Sequence, residues 1–171
     1  MLNKTLKDSL AKTASAPRAI LIGVGLVFVG CVMWALARSE PVLVRTDCEV
    51  NTKLETVTIS SEGTSIQAEV VTSGEDKARG LSGRNCLNPD TGMLFLYELS
   101  GDYCFWMKDM NFSIDMIWMD DEKRIVTIKD SVSPETYPQS FCPEKPSQYI
   151  LEVAPGFTAK AGWSIGTQLN W

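Results

Sequence analysis

The 171-residue chain contains no histidine. That single absence excludes Ser-His-Asp and Cys-His nucleophilic catalysis, zinc sites built on imidazole and histidine-based pH switching. Nucleotide-binding loops are missing too, since neither G-x-x-x-x-G-K-[ST] nor G-x-G-x-x-G occurs. No two cysteines stand in C-x-x-C spacing, so a dithiol redox motif is not indicated. Cations are scarce once the N-terminal stretch is set aside. The whole chain carries 16 Lys and Arg against 21 Asp and Glu, a net −5. Residues 1–37 hold four of those cations and one acid, which leaves twelve against twenty, a net −8. A domain of that charge does not track nucleic acid phosphates, so no nucleic acid partner is expected.

The longest apolar run is Ala19 to Ala37, which has no charged residue. As a helix it would span roughly 28 Å, close to the hydrocarbon thickness of a bilayer. Lys4, Lys7, Lys12 and Arg18 precede it, against the single acid Asp8. Cations on that side place the N-terminus in the cytoplasm. The expected organisation is a cytoplasmic tail over 1–18, a transmembrane signal anchor over 19–37, a linker over 38–53 and an extracytoplasmic domain over 54–171. The expected location is the bacterial inner membrane, single-pass. Two alternatives stay open: cleavage after Ala37, which ends a small-x-small pattern at Ala35-Leu36-Ala37, and lipidation at Cys31. All three export the same domain.

Beyond the membrane segment lie four cysteines, Cys48, Cys86, Cys104 and Cys142. An even number in an oxidising compartment points to disulfides, and four cysteines allow three pairings. The pairing favoured here is Cys104 with Cys142, stapling a Pro-rich loop, and Cys48 with Cys86, tying down the segment that leaves the membrane.

Short β-type runs dominate the rest. Val57 to Ile59 and Ile66 to Val70 flank Ser61-Glu62-Gly63-Thr64, a hairpin signal. Ser73-Gly74-Glu75-Asp76 resembles a capping box opening one short helix, interrupted by Gly80 and Gly83. Strands are expected at 93–97, 103–108, 114–119, 124–129 and 149–153, with a final turn and strand over 163–171. Residues 131–147 hold four prolines and must be a loop. The fold class expected is mainly β: a single antiparallel sandwich or partly closed barrel with one short helix.

The available chemistry is carboxylates, cations and aromatics. Asp109 and Asp115 bracket a turn and could serve acid–base work on a glycan or hold a hard cation, but turn aspartates ordinarily accept hydrogen bonds from backbone amides. Arg79 and Arg84 flank Gly80-Leu81-Ser82-Gly83, an arrangement open to anion binding or to ion pairing with Glu152 or Asp115. Glu152 stands between Leu151 and Val153, so it faces the other side of its strand and needs a cation if that side is covered. Arg79, Arg84 and Lys108 are the cations in reach by this reading. Trp106, Trp118, Trp163 and Trp171 suit either sugar stacking or a core, with the core the commoner role.

Phe105-Trp106-Met107-Lys108-Asp109-Met110 mixes apolar bulk with a cation and an acid, as an element with one buried face would. Taken in order with Arg79-Gly80-Leu81-Ser82-Gly83-Arg84, Gly92-Met93-Leu94-Phe95, Ile114-Asp115-Met116, Leu151-Glu152-Val153, Gly156 and Gly166, it resembles the uncharacterised prokaryotic family called domain of unknown function one-nine-two. The resemblance covers roughly residues 66–169. It implies a compact, mainly β domain, often exported, and implies no enzyme activity. The four exported cysteines stand outside the family pattern, which favours disulfides added for stability.

The leading expectation is a membrane-anchored binding or envelope-associated module for an unidentified small molecule, glycan or protein. Its candidate surface comprises Arg79, Arg84, Trp106, Lys108, Asp109, Asp115 and Glu152. The alternatives are a carboxylate-based hydrolase of envelope polysaccharide using Asp109, Asp115 or Glu152, and a purely structural domain. No catalytic residue is assigned, and no metal or cofactor is expected.

Overall fold

A computed structural model describes Cys48 and residues 53–171. Apart from Cys48 and Lys53, the expected tail, membrane segment and linker lie outside the described residues. Among the described residues no helix is long and apolar enough to cross a membrane.

The chain forms β1 (Thr56–Ser61), β2 (Thr64–Val71), helix α1 (Gly74–Arg79), β3 (Thr91–Gly101), β4 (Phe105–Trp106), β5 (Ile114–Met119), β6 (Ile125–Val132), β7 (Ser140–Phe141), β8 (Ser147–Val153) and helix α2 (Phe157–Ala161). The β1–β2 hairpin turns through Glu62 and Gly63, both at positive φ (51° and 84°), as a two-residue hairpin turn requires. Ser73 caps α1 by accepting from the Asp76 amide at 3.1 Å, and Gly80 ends it at φ 52°.

Six strands make one sheet in the order β1-β2-β3-β8-β5-β6, and β4 pairs with β7 separately. The sheet is mixed, which corrects the antiparallel expectation: β2 and β3 run parallel, with Ala68 opposite Gly92 and Val71 opposite Phe95. A parallel pair needs a crossover, and the segment carrying α1 supplies it. Among the described residues there are two α-helices where one short helix was expected. The second, α2, is five residues long between Gly156 and Gly162, both left-handed at φ 76° and 72°. Five residues are too few for apolar periodicity to show in sequence.

Both faces of the sheet are covered. Alternation along β8 sends Leu151 and Val153 to one face and Ile150 and Glu152 to the other. The first face packs on α2 and the C-terminal segment through Phe157, Trp163 and Leu169. The second packs under Leu81 and Met107, with Phe105 and Phe141 from the small β4–β7 ribbon against it. Coverage on both sides explains why all six residues of β5 are buried. The C-terminal residues reach both sheet edges through isolated bridges, Ser60 with Asn170 and Arg124 with Gln168. They do not form a continuous ladder, so the sheet is not closed.

Both favoured disulfides form, Cys48–Cys86 and Cys104–Cys142, each joining positions 38 apart. Closing loops of that length restricts the unfolded chain and is worth up to a few kcal/mol. The second bond lies beside the β4–β7 ribbon, where Phe105 opposes Phe141 and Trp106 opposes Ser140.

Candidate functional site

The second face of the sheet carries a row of side chains at matched register. Glu69 on β2 opposes Met93 on β3, Met93 opposes Glu152 on β8, and Glu152 opposes Met116 on β5. Two carboxylates therefore lie in one covered row, both on predominantly apolar strands. Gly92 lets β3 and β8 come this close, since a Cβ there would meet the Glu152 carbonyl oxygen at 2.7 Å.

Glu69 is neutralised directly. Arg84 donates to both its oxygens, at 2.7 and 2.6 Å, with the two side chains 13% and 6% exposed. Arg84 thus pairs with Glu69, an acid outside the alternatives of an anion site or pairing with Glu152 or Asp115 that the sequence left open. Arg84 is itself held through its backbone, because its carbonyl accepts from Asn111 Nδ2 at 2.9 Å. Gly83 N donates to the Asp109 carbonyl and Ser82 Oγ to the Lys108 carbonyl, each at 2.8 Å. The Arg79–Arg84 and Phe105–Asn111 segments are thus clipped together by three hydrogen bonds. Replacing Arg84 with methionine strands Glu69 as a buried, unpaired acid. The expected cost is about 3 kcal/mol, the low end for a broken buried pair because part of Arg84 is open to water. Urea unfolding of Arg84→Met, Glu69→Leu and the double variant checks this. The double variant should recover most of the loss, and simple additivity of the two singles would show that the pair is not coupled.

Glu152 is placed differently. It is 5% exposed, and among the described hydrogen bonds its carboxyl makes none. Burial drives its pKa up to about 8, against a partial downward pull from the charge of Arg84. At neutral pH it is therefore mostly a neutral carboxylic acid. It lines a pocket of about 270 Å³ between α1 and the β4–β7 ribbon. Leu81 and Phe95 line it beside Glu152, Tyr97, Phe105 and Trp106 bring aromatic rings, and Lys77 and Arg79 bring cations from α1. Phe105 is wedged edge-on between Phe95 at 4.8 Å and Trp118 at 6.2 Å. Trp118 in turn donates from Nε1 to the Tyr103 carbonyl at 2.9 Å. That anchoring leaves the neighbouring Trp106 53% exposed, in edge contact with Tyr137. Lys77 Nζ sits 4.2 Å from the centroid of the Tyr97 ring, which stacks on Tyr103. Burial, then Tyr103 and then Glu152 raise the Tyr97 phenol. Arg79 pairs with Asp76 one turn away on α1.

Of the seven candidate residues, the pocket assembles Arg79, Trp106 and Glu152. Arg84 acts on it from behind, through charge. Lys108 and Asp109 are exposed outside its lining, and their backbone carbonyls serve the clip. Asp115 lies on the opposite face. Its Oδ1 accepts from the Ser131 and Gly156 amides and its Oδ2 from the Thr158 amide and hydroxyl. Among the described residues Glu152 is the one carboxylate lining the pocket, so Asp109, Asp115 and Glu152 do not assemble the flanking pair that glycoside hydrolysis needs. Among the described residues no group of acids and cysteines is arranged to hold a metal. Lys77, Tyr97 and Phe105 were missed as site residues. Lys77 precedes Arg79 by two positions on a six-residue helix, and Tyr97 follows Phe95 with strand periodicity, a signal visible only once the pocket's face is known.

No curated protein matches the chain. Solved structures share its fold, among them the following two. One is a proposed transcription regulator from Sinorhizobium meliloti 1021, 26% identical, with a TM-score of 0.64 over 71% of this chain and 96% of that one. The other is a protein of unknown function from Novosphingobium aromaticivorans DSM 12444, 22% identical, with a TM-score of 0.65 over 74% of this chain and 94% of that one. Residues 55–171 match the model of DUF192, described as "Uncharacterized ACR", which covers the hairpin, the clip and the strand bearing Glu152, and the chain belongs to that family.

Proposed function

We propose that residues 54–171 form an extracytoplasmic binding module, held at the bacterial inner membrane by residues 19–37, whose pocket at Glu152 receives a small ligand. The observation that carries this reading is a nearly buried carboxyl with no hydrogen-bond partner among the described residues, lining an aromatic-walled concavity. A carboxyl that faces a pocket rather than a protein partner keeps its hydrogen-bonding capacity for a group from outside. Pockets that bind small molecules combine apolar walls with a few convergent polar groups in this way. The two disulfides support an oxidising compartment for the domain. The basic flank of the apolar run supports the orientation.

The test is saturation-transfer NMR on the full chain in detergent micelles, using a mixture of low-mass sugars, ring acids and amides. Ligands should bind the wild type and lose most of their signal in Trp106→Ala, whose exposed ring belongs to the pocket wall. An undiminished signal in Trp106→Ala would place binding elsewhere. No signal at all would leave the domain a structural one.

A further inference from the structure

The pocket's chemistry is graded from mouth to floor, and the grading selects a ligand class. The following rests on the reading that this pocket binds a ligand. Lys77 and Arg79 both line the pocket from α1; Asp76 pairs with Arg79, and Glu75, the other acid of that helix, is exposed outside the lining. Both are pre-positioned, Lys77 over the Tyr97 ring and Arg79 against Asp76. An incoming cation would be repelled there, and an incoming anion attracted.

Beyond those cations come ring faces. Tyr97 is braced by its stack on Tyr103, and Phe105 by Phe95 and Trp118. Braced rings favour a flat apolar body with little ordering cost.

The floor is Glu152. The closest strong cation acting on it, Arg84, is already engaged at both Glu69 oxygens. A carboxyl so placed meets a ligand as a neutral acid, with one hydroxyl to donate and one carbonyl to accept. Its natural complement is a hydroxyl or an amide, each of which can both donate and accept. A carboxylate driven to the floor would forfeit the cations at the mouth.

We infer that the pocket takes a ring-bearing monoanion, with its charged group at Lys77 and Arg79, its ring between Tyr97, Phe105 and Trp106, and a neutral hydroxyl or amide against the Glu152 carboxyl.

A set of three probes shares one ring and one hydroxyl and differs only in charge: 4-hydroxybenzoate, 4-hydroxybenzamide and 4-hydroxybenzamidine. Titrated into the full chain and followed by the Trp106 indole N–H resonance, the benzoate should bind roughly tenfold tighter than the neutral amide, and the benzamidine weakest. Lys77→Met with Arg79→Met should abolish that order while leaving the amide's affinity within about twofold. Glu152→Gln, which keeps a donor and an acceptor, should retain the benzoate. Glu152→Leu should weaken all three by roughly tenfold. Tightest binding by the amide or the benzamidine, or a charge order that survives loss of both cations, would overturn the ligand class and leave the pocket a binding site. If no member of the set perturbs Trp106 at millimolar concentration, the binding reading fails together with the class.

Discussion

Asp115→Ala is expected to lower the unfolding free energy by at least about 4 kcal/mol, most of the stability of a small domain. The side chain is fully buried, and its two oxygens accept from three backbone amides and one hydroxyl, at 2.7 to 3.0 Å. Hydrogen bonds to a charged acceptor contribute roughly 1.5–3 kcal/mol each, and a buried donor left unmatched costs its full desolvation. The four are not additive, hence a floor rather than a sum. The location explains why they converge. The β5–β6 ladder shifts register between Ile114 and Met116, and Ser131 there takes a positive φ of 50°. The Ser131 amide, freed from the ladder, turns to Asp115. From the other side come the amides that open α2. One carboxylate thereby ties a bulged strand, the β8–α2 turn and a helix start together. Asp115→Asn keeps one accepting oxygen but presents an NH2 to two donors, and about half the loss is expected. Thr158→Val removes one donor and should cost about 1 kcal/mol. Guanidinium titrations of the full chain would show the ranking; an alanine variant with a wild-type midpoint would mean the amides find other acceptors.

How much of this could be read from sequence depends on what each element uses for its signal. The hairpin at Glu62-Gly63, the nearly all-apolar β5 and the Leu151-Glu152-Val153 strand declare themselves by local pattern, and each is where the pattern places it. The cysteines declare themselves too, since a Pro-rich loop of such length needs a pin. The parallel β2–β3 pairing does not: the capping box marks the six-residue helix between them, but nothing local says that the strands it joins run parallel. Asp115 and Glu152 look alike as acids inside apolar strands. Which face each takes relies on the strand neighbours, and so does the distinction between a carboxylate saturated by amides and one turned into a pocket. Ala68-Glu69-Val70 has the same form as Leu151-Glu152-Val153, yet only register reveals that Glu69 shares the covered face and claims Arg84. Local alternation can tell that a side chain leaves the plane of its neighbours. It cannot tell which of two acids Arg84 will meet.

That competition sets the second large effect. Arg84 makes a two-pronged pair with Glu69 and acts on Glu152 through charge, so burial dominates at the Glu152 carboxyl and its pKa lies at about 8 rather than near its ordinary 4.5. The charged or titratable groups arrayed around it are Arg84, Lys77 and Arg79 from α1 and the loop after it, Glu69 from β2 and Tyr97 from β3. The flanking β5 positions are Met116 and Trp118. Because the folded state keeps a proton that the unfolded chain releases, the contribution is fully present below pH 4.5 and is lost as pH rises through about 8. At about 1.4 kcal/mol per pH unit, the loss across that window is on the order of 4 kcal/mol. Glu152→Gln carries no proton to lose and keeps the shape. Its stability should match wild type near pH 4, exceed it by on the order of 3–5 kcal/mol near pH 9, and lack the downward slope between. Urea unfolding of both chains across this range decides the matter, and parallel curves would show Glu152 to be ionised throughout. The same comparison bears on the pocket. An acid that remains neutral in the folded protein at pH 7 can donate a hydrogen bond to a ligand, and the pH at which wild-type stability levels off marks where that donor disappears.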